Sequence, residues 1–444
     1  MKVGFISLGC SKNQVDTEIM IAIMKAAGYK IVDKLYKAEI IIINTCGFID
    51  AAKEEAINTI IKTGKMKAAG NLQYLLATGC LAQRYGQELL DEMPELDGIV
   101  GISFFTDIDK AVRRIQDGER LALLGKPPEL FVEKGPRVLT TPAGSAYLKI
   151  TEGCNNRCSY CAIPSIRGRL RSRPRDEIVQ EARELVDRGI RELVVVGQDT
   201  AVYGNDLVGK SDLPKLLKEM AAIDGLEWIR LMYLHPAHID DQIIDTIGEE
   251  DKVLPYLDIP IQHAADQVLK NMNRQHDYQQ LDSLILHLRN KIGDLVLRTT
   301  VMLGFPGESD EDFAFLLEFI RETKFDWLGA FSFTAEEGTL AFSMPDQVPE
   351  KIKQERRDAV MRLQQGITRN KNMTRIDKDE KILISSQASK NLFIGRAYFQ
   401  APEVDGITMV KSESKLVKGN FINVRLKGIR NYDMIGEPVD EYTK

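Results

Sequence analysis

Glu152-Gly153-Cys154-Asn155-Asn156-Arg157-Cys158-Ser159-Tyr160-Cys161 gathers three of the chain's six cysteines into one short loop, spaced C-x3-C-x2-C. Structural zinc sites close four ligands around the metal, commonly from C-x2-C pairs. No cysteine follows Cys161, so this loop offers three thiols and no fourth. Three thiolates suit a 4Fe–4S cluster with one iron left open, because thiolates are the ordinary ligands of such clusters. An open iron is able to take a substrate or cofactor. The competing reading is a buried cysteine cluster or a disulfide loop, and the scarcity of structural disulfides in cytosolic chains weighs against it.

A length of 444 residues allows two or three domains. Hydrophobic content of 44% and charged content of 28% are ordinary for globular protein. A formal charge of −6 gives no global signature of a nucleic-acid binder. No stretch is long and apolar enough to span a bilayer, so no membrane partner is expected. The run Val3–Leu8 ahead of Cys10 is too short, and has too little positive charge before it, for a signal peptide. It reads as a first buried strand, and the chain as cytoplasmic.

Residues 1–135 alternate strands with helices. Val3–Leu8, Ile40–Ile43, Leu72–Ala77 and Gly98–Gly101 are strands. Helices follow at Asp16–Ala27, from Asp50, after Cys80 and from Asp107. The β-branched run Ile40-Ile41-Ile42-Ile43 marks a strand buried on both faces. Such alternation predicts an open parallel sheet with right-handed crossovers. Cys10, Cys46 and Cys80 then fall at the ends of three strands. Ligands of open α/β sheets bind at those carboxyl ends, so the three thiols are expected to share one crevice and a second open-iron cluster. Gly9, Gly47 and Gly79 stand beside them and are expected to let the backbone approach a bulky ligand.

After a linker at Gly135–Gly144, residues 136–370 repeat the alternation. Strands are predicted at Ala146–Thr151, Glu192–Val196, Trp228–Tyr233, Tyr256–Ile261, Leu295–Val301 and Trp327–Phe333. Helices are predicted at Asp176–Arg188, Leu213–Ala222, Asp240–Gly248, Tyr278–Lys291 and Asp310–Thr323. This is a partial β/α barrel whose chemistry should gather at the C-terminal ends of its strands. The loop of Cys154, Cys158 and Cys161 follows the first of them. Gln198 and Asp199 follow the second, His235 the third and His263 the fourth; all are candidates to orient a cofactor or substrate, though a histidine serves as readily in the core. Arg298, inside the fifth strand, is placed to point into the barrel and pair with a carboxylate, a candidate cofactor contact. Arg167, Arg169, Arg171, Arg173 and Arg175 alternate, and if extended they line one face. That face would grip an anionic substrate, or be simply solvated or salt-bridged.

A charged helix from Pro349 to about Lys371 leads into residues 371–444. Short apolar stretches at Ile382–Ser386, Leu392–Tyr398, Thr408–Val410 and Asn420–Lys427, punctuated by glycines, predict a small antiparallel β-barrel. Such barrels often bind oligonucleotides. Nearly balanced charge and few aromatics point instead to a protein partner.

Together these pieces resemble the methylthiotransferase family of radical SAM (S-adenosylmethionine) enzymes, over essentially the whole chain. The family joins a three-cysteine domain, a radical SAM barrel and a TRAM barrel. The phrases that carry the resemblance are Ser7-Leu8-Gly9-Cys10-Ser11-Lys12-Asn13-Gln14-Val15-Asp16-Thr17-Glu18, Asn44-Thr45-Cys46-Gly47-Phe48-Ile49-Asp50, Gly197-Gln198-Asp199-Thr200 and Ala401-Pro402-Glu403-Val404-Asp405-Gly406. They are most similar to the branch that modifies an aspartate of ribosomal protein S-twelve. The tRNA-modifying branch usually has tyrosine where this chain has Ser165. Gln14 departs from the protein-modifying pattern, which often has leucine there.

The resemblance implies two 4Fe–4S clusters. The one on Cys154, Cys158 and Cys161 binds SAM and, once reduced, cleaves it to a radical, with Tyr160 beside the adenine. The one on Cys10, Cys46 and Cys80 carries a sulfur that a second SAM methylates. The implied product is a methylthio group at the β-carbon of the target aspartate. The implied partners are ribosomal protein S-twelve, met through the C-terminal barrel, and an electron donor such as flavodoxin or ferredoxin. The alternative substrate is a modified adenosine beside the anticodon of tRNA. A non-catalytic iron–sulfur scaffold, from another class, would leave SAM uncleaved.

Overall fold

In the computed structural model, which describes residues 1–132 and 135–439, the N-terminal part is a six-stranded, wholly parallel sheet. Its elements in chain order are β1 (Lys2–Ser7), α1 (Ser11–Ala26), β2 (Lys30–Ile31), β3 (Ile40–Thr45), α2 (Asp50–Ala68), β4 (Tyr74–Gly79), α3 (Cys80–Glu92), β5 (Gly98–Val100), α4 (Ile108–Gln116) and β6 (Leu121–Leu123). The sheet order is β2-β1-β3-β4-β5-β6. The expected buried strand is β3, whose four isoleucines are wholly inaccessible. Two elements escape the sequence pattern because they are too short to show alternation: the edge strands β2 and β6. Helix α1 starts at Ser11, five residues before the expected Asp16. Gly9, in the left-handed region at φ +88°, turns the chain so sharply that the helix begins at once. Its first turns bury Asn13, Asp16, Thr17 and Glu18, so polar residues occupy the inward face and hide the apolar period.

The chain continues through β7 (Ser145–Lys149), β8 (Thr151–Glu152), α5 (Ile163–Arg167), β9 (Arg171–Ser172), α6 (Arg175–Asp187), β10 (Glu192–Val196), α7 (Asn205–Val208), α8 (Leu213–Ala221), β11 (Trp228–Leu231), α9 (Asp241–Glu249) and β12 (Val253–Asp258). Then come α10 (Asp266–Asn271), α11 (Tyr278–Lys291), β13 (Val296–Leu303), α12 (Asp310–Thr323), β14 (Trp327–Ser332) and α13 (Glu350–Met373). Strands β14-β13-β12-β11-β10-β7 form the second parallel sheet, in the expected order of a partial barrel. Capping boxes fix two helix starts, Asp277 with Gln280 and Ser309 with Asp312.

The last elements are β15 (Asp379–Ser389), β16 (Leu392–Arg396), β17 (Thr408–Lys411), β18 (Phe421–Arg430) and β19 (Asp433–Pro438). They close a barrel in the order β15-β16-β17-β19-β18. Its pairs are antiparallel except β17 with β19, so the expected all-antiparallel barrel contains one parallel seam.

The compact units do not follow chain order. One holds residues 1–140 with 151–172 and 334–342; the other holds 141–150, 173–333 and 343–444. The loop of Cys154, Cys158 and Cys161 therefore packs with the N-terminal sheet.

Within the second unit, buried charges join the closed barrel to the strands. Glu192, wholly buried, accepts from Arg230 Nε at 2.9 Å and from Arg396 Nη1 at 3.1 Å. Arg230 Nη1 also donates to the Tyr398 carbonyl at 2.6 Å, and Trp327 Nε1 to that of Phe399 at 2.6 Å. Burial would raise the Glu192 carboxyl, but Arg396 and Arg230 outweigh it and hold it at about 2. The stabilisation from this group is thus present above the ordinary carboxylate range and lost as pH falls through about 2. Removing one partner of such a group strands the other charges in the interior. Glu192→Gln is expected to destabilise the cluster-free protein by about 3–5 kcal/mol in urea unfolding near neutral pH. It should also flatten the acid dependence of stability below the ordinary carboxylate range, as read by unfolding at successive pH values.

Candidate metal centre

The first cysteine trio sits where three adjacent strands of the N-terminal sheet end. Cys10 is the residue before α1, Cys46 directly follows β3, and Cys80 opens α3 after β4. Strands β1, β3 and β4 are neighbours, so the three loops share one edge of the sheet. A Cβ on Gly9 would lie 2.7 Å from Cys46 Cβ and 3.0 Å from its Sγ. On Gly47 it would lie 2.8 Å from Leu81 Cα, and on Gly79 it would lie 2.3 Å from Asn44 Oδ1. The glycines expected to admit a ligand thus let each loop press against the next. Asn13 fastens two of the loops through Nδ2, at 3.0 Å to both the Leu8 and the Thr45 carbonyls. Asn44 Nδ2 answers with bonds to the Asn13 carbonyl at 2.8 Å and Thr17 Oγ1 at 2.9 Å.

Burial pushes the Cys46 thiol up to about 12, with Cys80 and then Cys10 adding to the rise. Burial raises Cys80 as well, against the pull of Arg167. Three thiols at neighbouring strand ends, two of them buried and raised, fit a cationic iron centre that takes their protons as it binds.

The second trio lies between β8 and α5. The Cys154 amide donates to the Gly168 carbonyl at 3.1 Å, and the Leu170 amide to Asn155 Oδ1 at 3.1 Å, closing the loop at its base. The Cys158 carbonyl accepts from the Cys161 amide at 3.1 Å. All three thiols are half-buried, as is Tyr160 between the last two. The Ser159 carbonyl accepts from Ala341 at 2.8 Å, so the returning segment 334–342 braces this turn. That segment also brings in Glu336, 2% exposed, which pairs with Lys53 at 2.9 Å and Arg84 at 2.8 Å. Arg84 in turn donates to the Gly47 carbonyl at 2.9 Å, beside Cys46.

The two cysteine loops are joined through residues beside them. Cys80 packs against Ala162 and Ile166 at the head of α5. Arg167, 2% exposed, donates through Nη1 to Glu152 at 2.6 Å and Asp16 at 3.2 Å, through Nε to Cys80 Sγ at 3.3 Å, and through Nη2 to Asn13 Oδ1. The arginine series is therefore not one extended face. Arg167 ends a helix, Arg171 is buried in β9, Arg173 pairs with Glu177 and Glu181, and Arg175 pairs with Asp212 and Glu219; Arg169 alone of the five is exposed. Ion pairs within the protein hold Arg167, Arg173 and Arg175, while Arg171 donates to the Arg167 carbonyl. Nothing in their spacing distinguishes Arg167, and Glu336 is linked to Lys53 and Arg84 only by the fold. The one local signal was the closeness of Glu152 and Arg167 to the cysteine loop.

In the second unit, Gln198 is half-buried after β10, and Asp199 and His235 come together. Asp199 Oδ1 accepts from the His235 amide at 3.3 Å and Oδ2 meets His238 Nδ1 at 2.7 Å. His238 Nε2 meets Gln275 Oε1 at 3.3 Å, and with acceptors at both ring nitrogens its pKa is raised despite burial. His235 Nδ1 accepts from the Ala237 amide at 3.2 Å, and burial drives its pKa down. These rings are thus engaged in holding the strand-end loops. His263, wholly buried, caps Ala265 at 3.0 Å. Arg298 pairs with Asp258 at 2.7 Å and approaches Asp405 at 3.4 Å, so its carboxylates come from the protein itself.

Both cysteine trios fall in one compact unit, and the other unit holds a partial parallel barrel and a small closed barrel, the set of parts of a radical SAM enzyme with an additional cysteine-bearing domain. Residues 148–320 match the radical SAM superfamily, residues 2–101 the uncharacterized protein family UPF0004, and residues 376–439 the TRAM domain. The chain is 60% identical to the ribosomal protein uS12 methylthiotransferase RimO of Syntrophomonas wolfei, across 98% of this chain and 100% of the relative. It is 44% identical to that of Clostridioides difficile, across 99% of both. Among solved structures it shares its fold with the radical SAM methyltransferase TsrM of Kitasatospora setae (TM-score 0.56, 13% identity, 74% of this chain and 72% of that one). The chain belongs to the RimO family of radical SAM methylthiotransferases, enzymes that use SAM and two 4Fe–4S clusters.

Gly9→Ala offers a test of the tight loop packing. It sets a methyl group 2.7 Å from Cys46 Cβ at φ +88°. The expected outcome, read by iron and sulfide analysis after anaerobic reconstitution, is loss of about half of the bound iron, one cluster of two, with SAM cleavage retained.

Proposed function

We propose that this enzyme inserts a methylthio group at the β-carbon of an aspartate of ribosomal protein S12, with Cys154, Cys158 and Cys161 holding one cluster and Cys10, Cys46 and Cys80 the other. The observation that carries the proposal is the packing of both trios in one compact unit, Cys80 lying against Ala162 and Ile166. When bound, the clusters and SAM supply radical cleavage, sulfur and methyl chemistry that no side chain provides.

The chain's own residues do the rest. Asn13 and Asn44 hold the strand-end loops so that the thiols of Cys10, Cys46 and Cys80 converge. Burial raises the Cys46 and Cys80 thiols, so a metal that binds them would have to displace their protons. The bonds of Cys154 to the Gly168 carbonyl and of Leu170 to Asn155 keep the second loop closed, and Tyr160 is proposed to lie beside the adenine of SAM. Gln198, Asp199 and His235 are proposed to border that cofactor, the last two fixed by their bonds within the loop ends.

The closed barrel is proposed as the part that meets S12. Its exposed charges support a protein rather than a phosphate backbone: Arg425 is already held bidentate by Asp379 at 2.7 and 2.8 Å, and Lys381 by Glu227 at 2.8 Å. A small flavodoxin or ferredoxin is proposed as electron donor. Among the described residues no helix is long and apolar enough to cross a membrane.

Anaerobic turnover with reconstituted enzyme, SAM, sulfide and reductant tests the substrate. An S12-loop peptide and hypomodified tRNA are offered separately and read by mass spectrometry. A gain of about 46 Da on the aspartate, hydrogen replaced by SCH3, is expected; the same gain on tRNA alone would overturn the substrate. Cys154→Ala should abolish SAM cleavage. Cys46→Ala should retain cleavage and lose methylthio transfer, and full product from that variant without added sulfide would sink the two-cluster assignment.

A further inference from the structure

Arg167 is fully buried, carries a permanent charge, and has partners on both sides of the cysteine unit. Its Nη1 binds Glu152, two residues before Cys154, and Asp16, six residues after Cys10. Its Nη2 binds Asn13, the residue that ties the Leu8 and Thr45 carbonyls together. Its Nε points at the sulfur of Cys80, 3.3 Å away. The planar fork of a guanidinium is what lets one side chain meet four groups from three segments; a lysine ammonium lacks that geometry. Its own backbone is fixed in turn, because Arg171 Nη1 donates to the Arg167 carbonyl at 2.8 Å.

Leaving such a charge unpaired in the interior costs several kcal/mol, so the partners are held where the guanidinium needs them. Glu152 belongs to the strand that leads into one cysteine loop, and Asp16 and Asn13 belong to the helix that leads out of another. The spacing between the two loops is thereby set by one side chain. A hydrogen bond and a positive charge at a ligating sulfur also bear on the electronics of a cluster, since both favour its more negative, reduced state.

We propose that Arg167 is a positioning residue of the two-cluster centre: it fixes the distance between the two cysteine loops and raises the reduction potential of the cluster on Cys10, Cys46 and Cys80. This role rests on the cluster assignment made above. The cluster that carries sulfur would then be held less reducing than a bare three-thiolate site, and kept at a constant separation from the cluster that binds SAM.

The test separates the two ideas. A parent variant with Cys154, Cys158 and Cys161 all changed to serine is reconstituted, and its remaining cluster is titrated by EPR-monitored redox potentiometry. Failure of this parent to bind four irons would overturn the cluster assignment and this proposal with it. In a loaded parent, Arg167→Gln is expected to bind the same iron but with its midpoint shifted to a more negative value. Arg167→Lys, which keeps the charge and loses the fork, should fall between the two. In the otherwise unchanged enzyme, the same substitutions should weaken the magnetic coupling between the two reduced clusters, read as slower electron-spin relaxation. Unchanged midpoints in both variants at full iron content, with unchanged relaxation, would overturn the proposal. If Arg167→Gln does not fold, the lysine variant alone decides, on the same two readouts.

Discussion

A buried guanidinium must be met by carboxylates, and in this protein the one at Arg167 joins the helix after Cys10 to the strand before Cys154. The two acids that meet it, Asp16 and Glu152, lie far apart in the chain. Bringing them to one point draws the loop of Cys154, Cys158 and Cys161 onto the carboxyl edge of the first sheet. The compact units therefore cut across the chain, with residues 151–172 grouped with residues 1–140. The apolar contact of Cys80 with Ala162 and Ile166 lies beside the same charge and shields it from water.

A second set of buried charges does for the other unit what Arg167 does for the first. Glu192 opens β10, Arg230 lies in β11, Asp258 ends β12 and Arg298 lies in β13. Their remaining partners, Arg396 and Asp405, come from the closed barrel and its loop. Asp405 also accepts from Tyr256 at 2.7 Å, and burial, opposed by Arg298, lifts its carboxyl to about 6. A barrel of this size could be tethered by its linker alone. Here it is specified by ion pairs that demand one register, since a slip of one residue would strand several charges. The phrase Ala401–Gly406, part of the resemblance to the family, therefore has a structural use: its aspartate serves as a partner of Arg298.

Most of the architecture was legible in the sequence because it rests on apolar periodicity. The isoleucine run of β3 and helices such as α11 and α12, bounded by capping boxes, announce themselves. That Cys10, Cys46 and Cys80 share one edge was legible for another reason: topology alone places three strand ends there. Where the sequence misled, polar residues faced inward. The buried polar face of α1 concealed its first turns. Arg298 was expected to pair with a carboxylate, and it does, but its partners Asp258 and Asp405 are remote in sequence and could not be named from it. Glu336, with Lys53 and Arg84, was invisible for the same reason.

The glycines beside the cysteines have a second use. Gly9, Gly47 and Gly79 were expected to let the backbone approach a bulky ligand; they also let neighbouring loops approach one another. That packing bears on function. Loops kept apart by side chains would leave each thiol on an independent, mobile turn, and a cluster would have to organise them as it bound. Loops in backbone contact, stitched by Asn13 and Asn44, present the thiols already converged, so less conformational freedom is lost when iron arrives. An open-iron cluster has one fewer protein ligand to hold it, so preorganisation of the remaining three is where the protein can add stability. The second trio follows the same rule by different means, its loop closed by Gly168, Asn155 and the braced Ser159 carbonyl. Arg167 then converts two preorganised sites into one, because each loop carries a group that its charge requires.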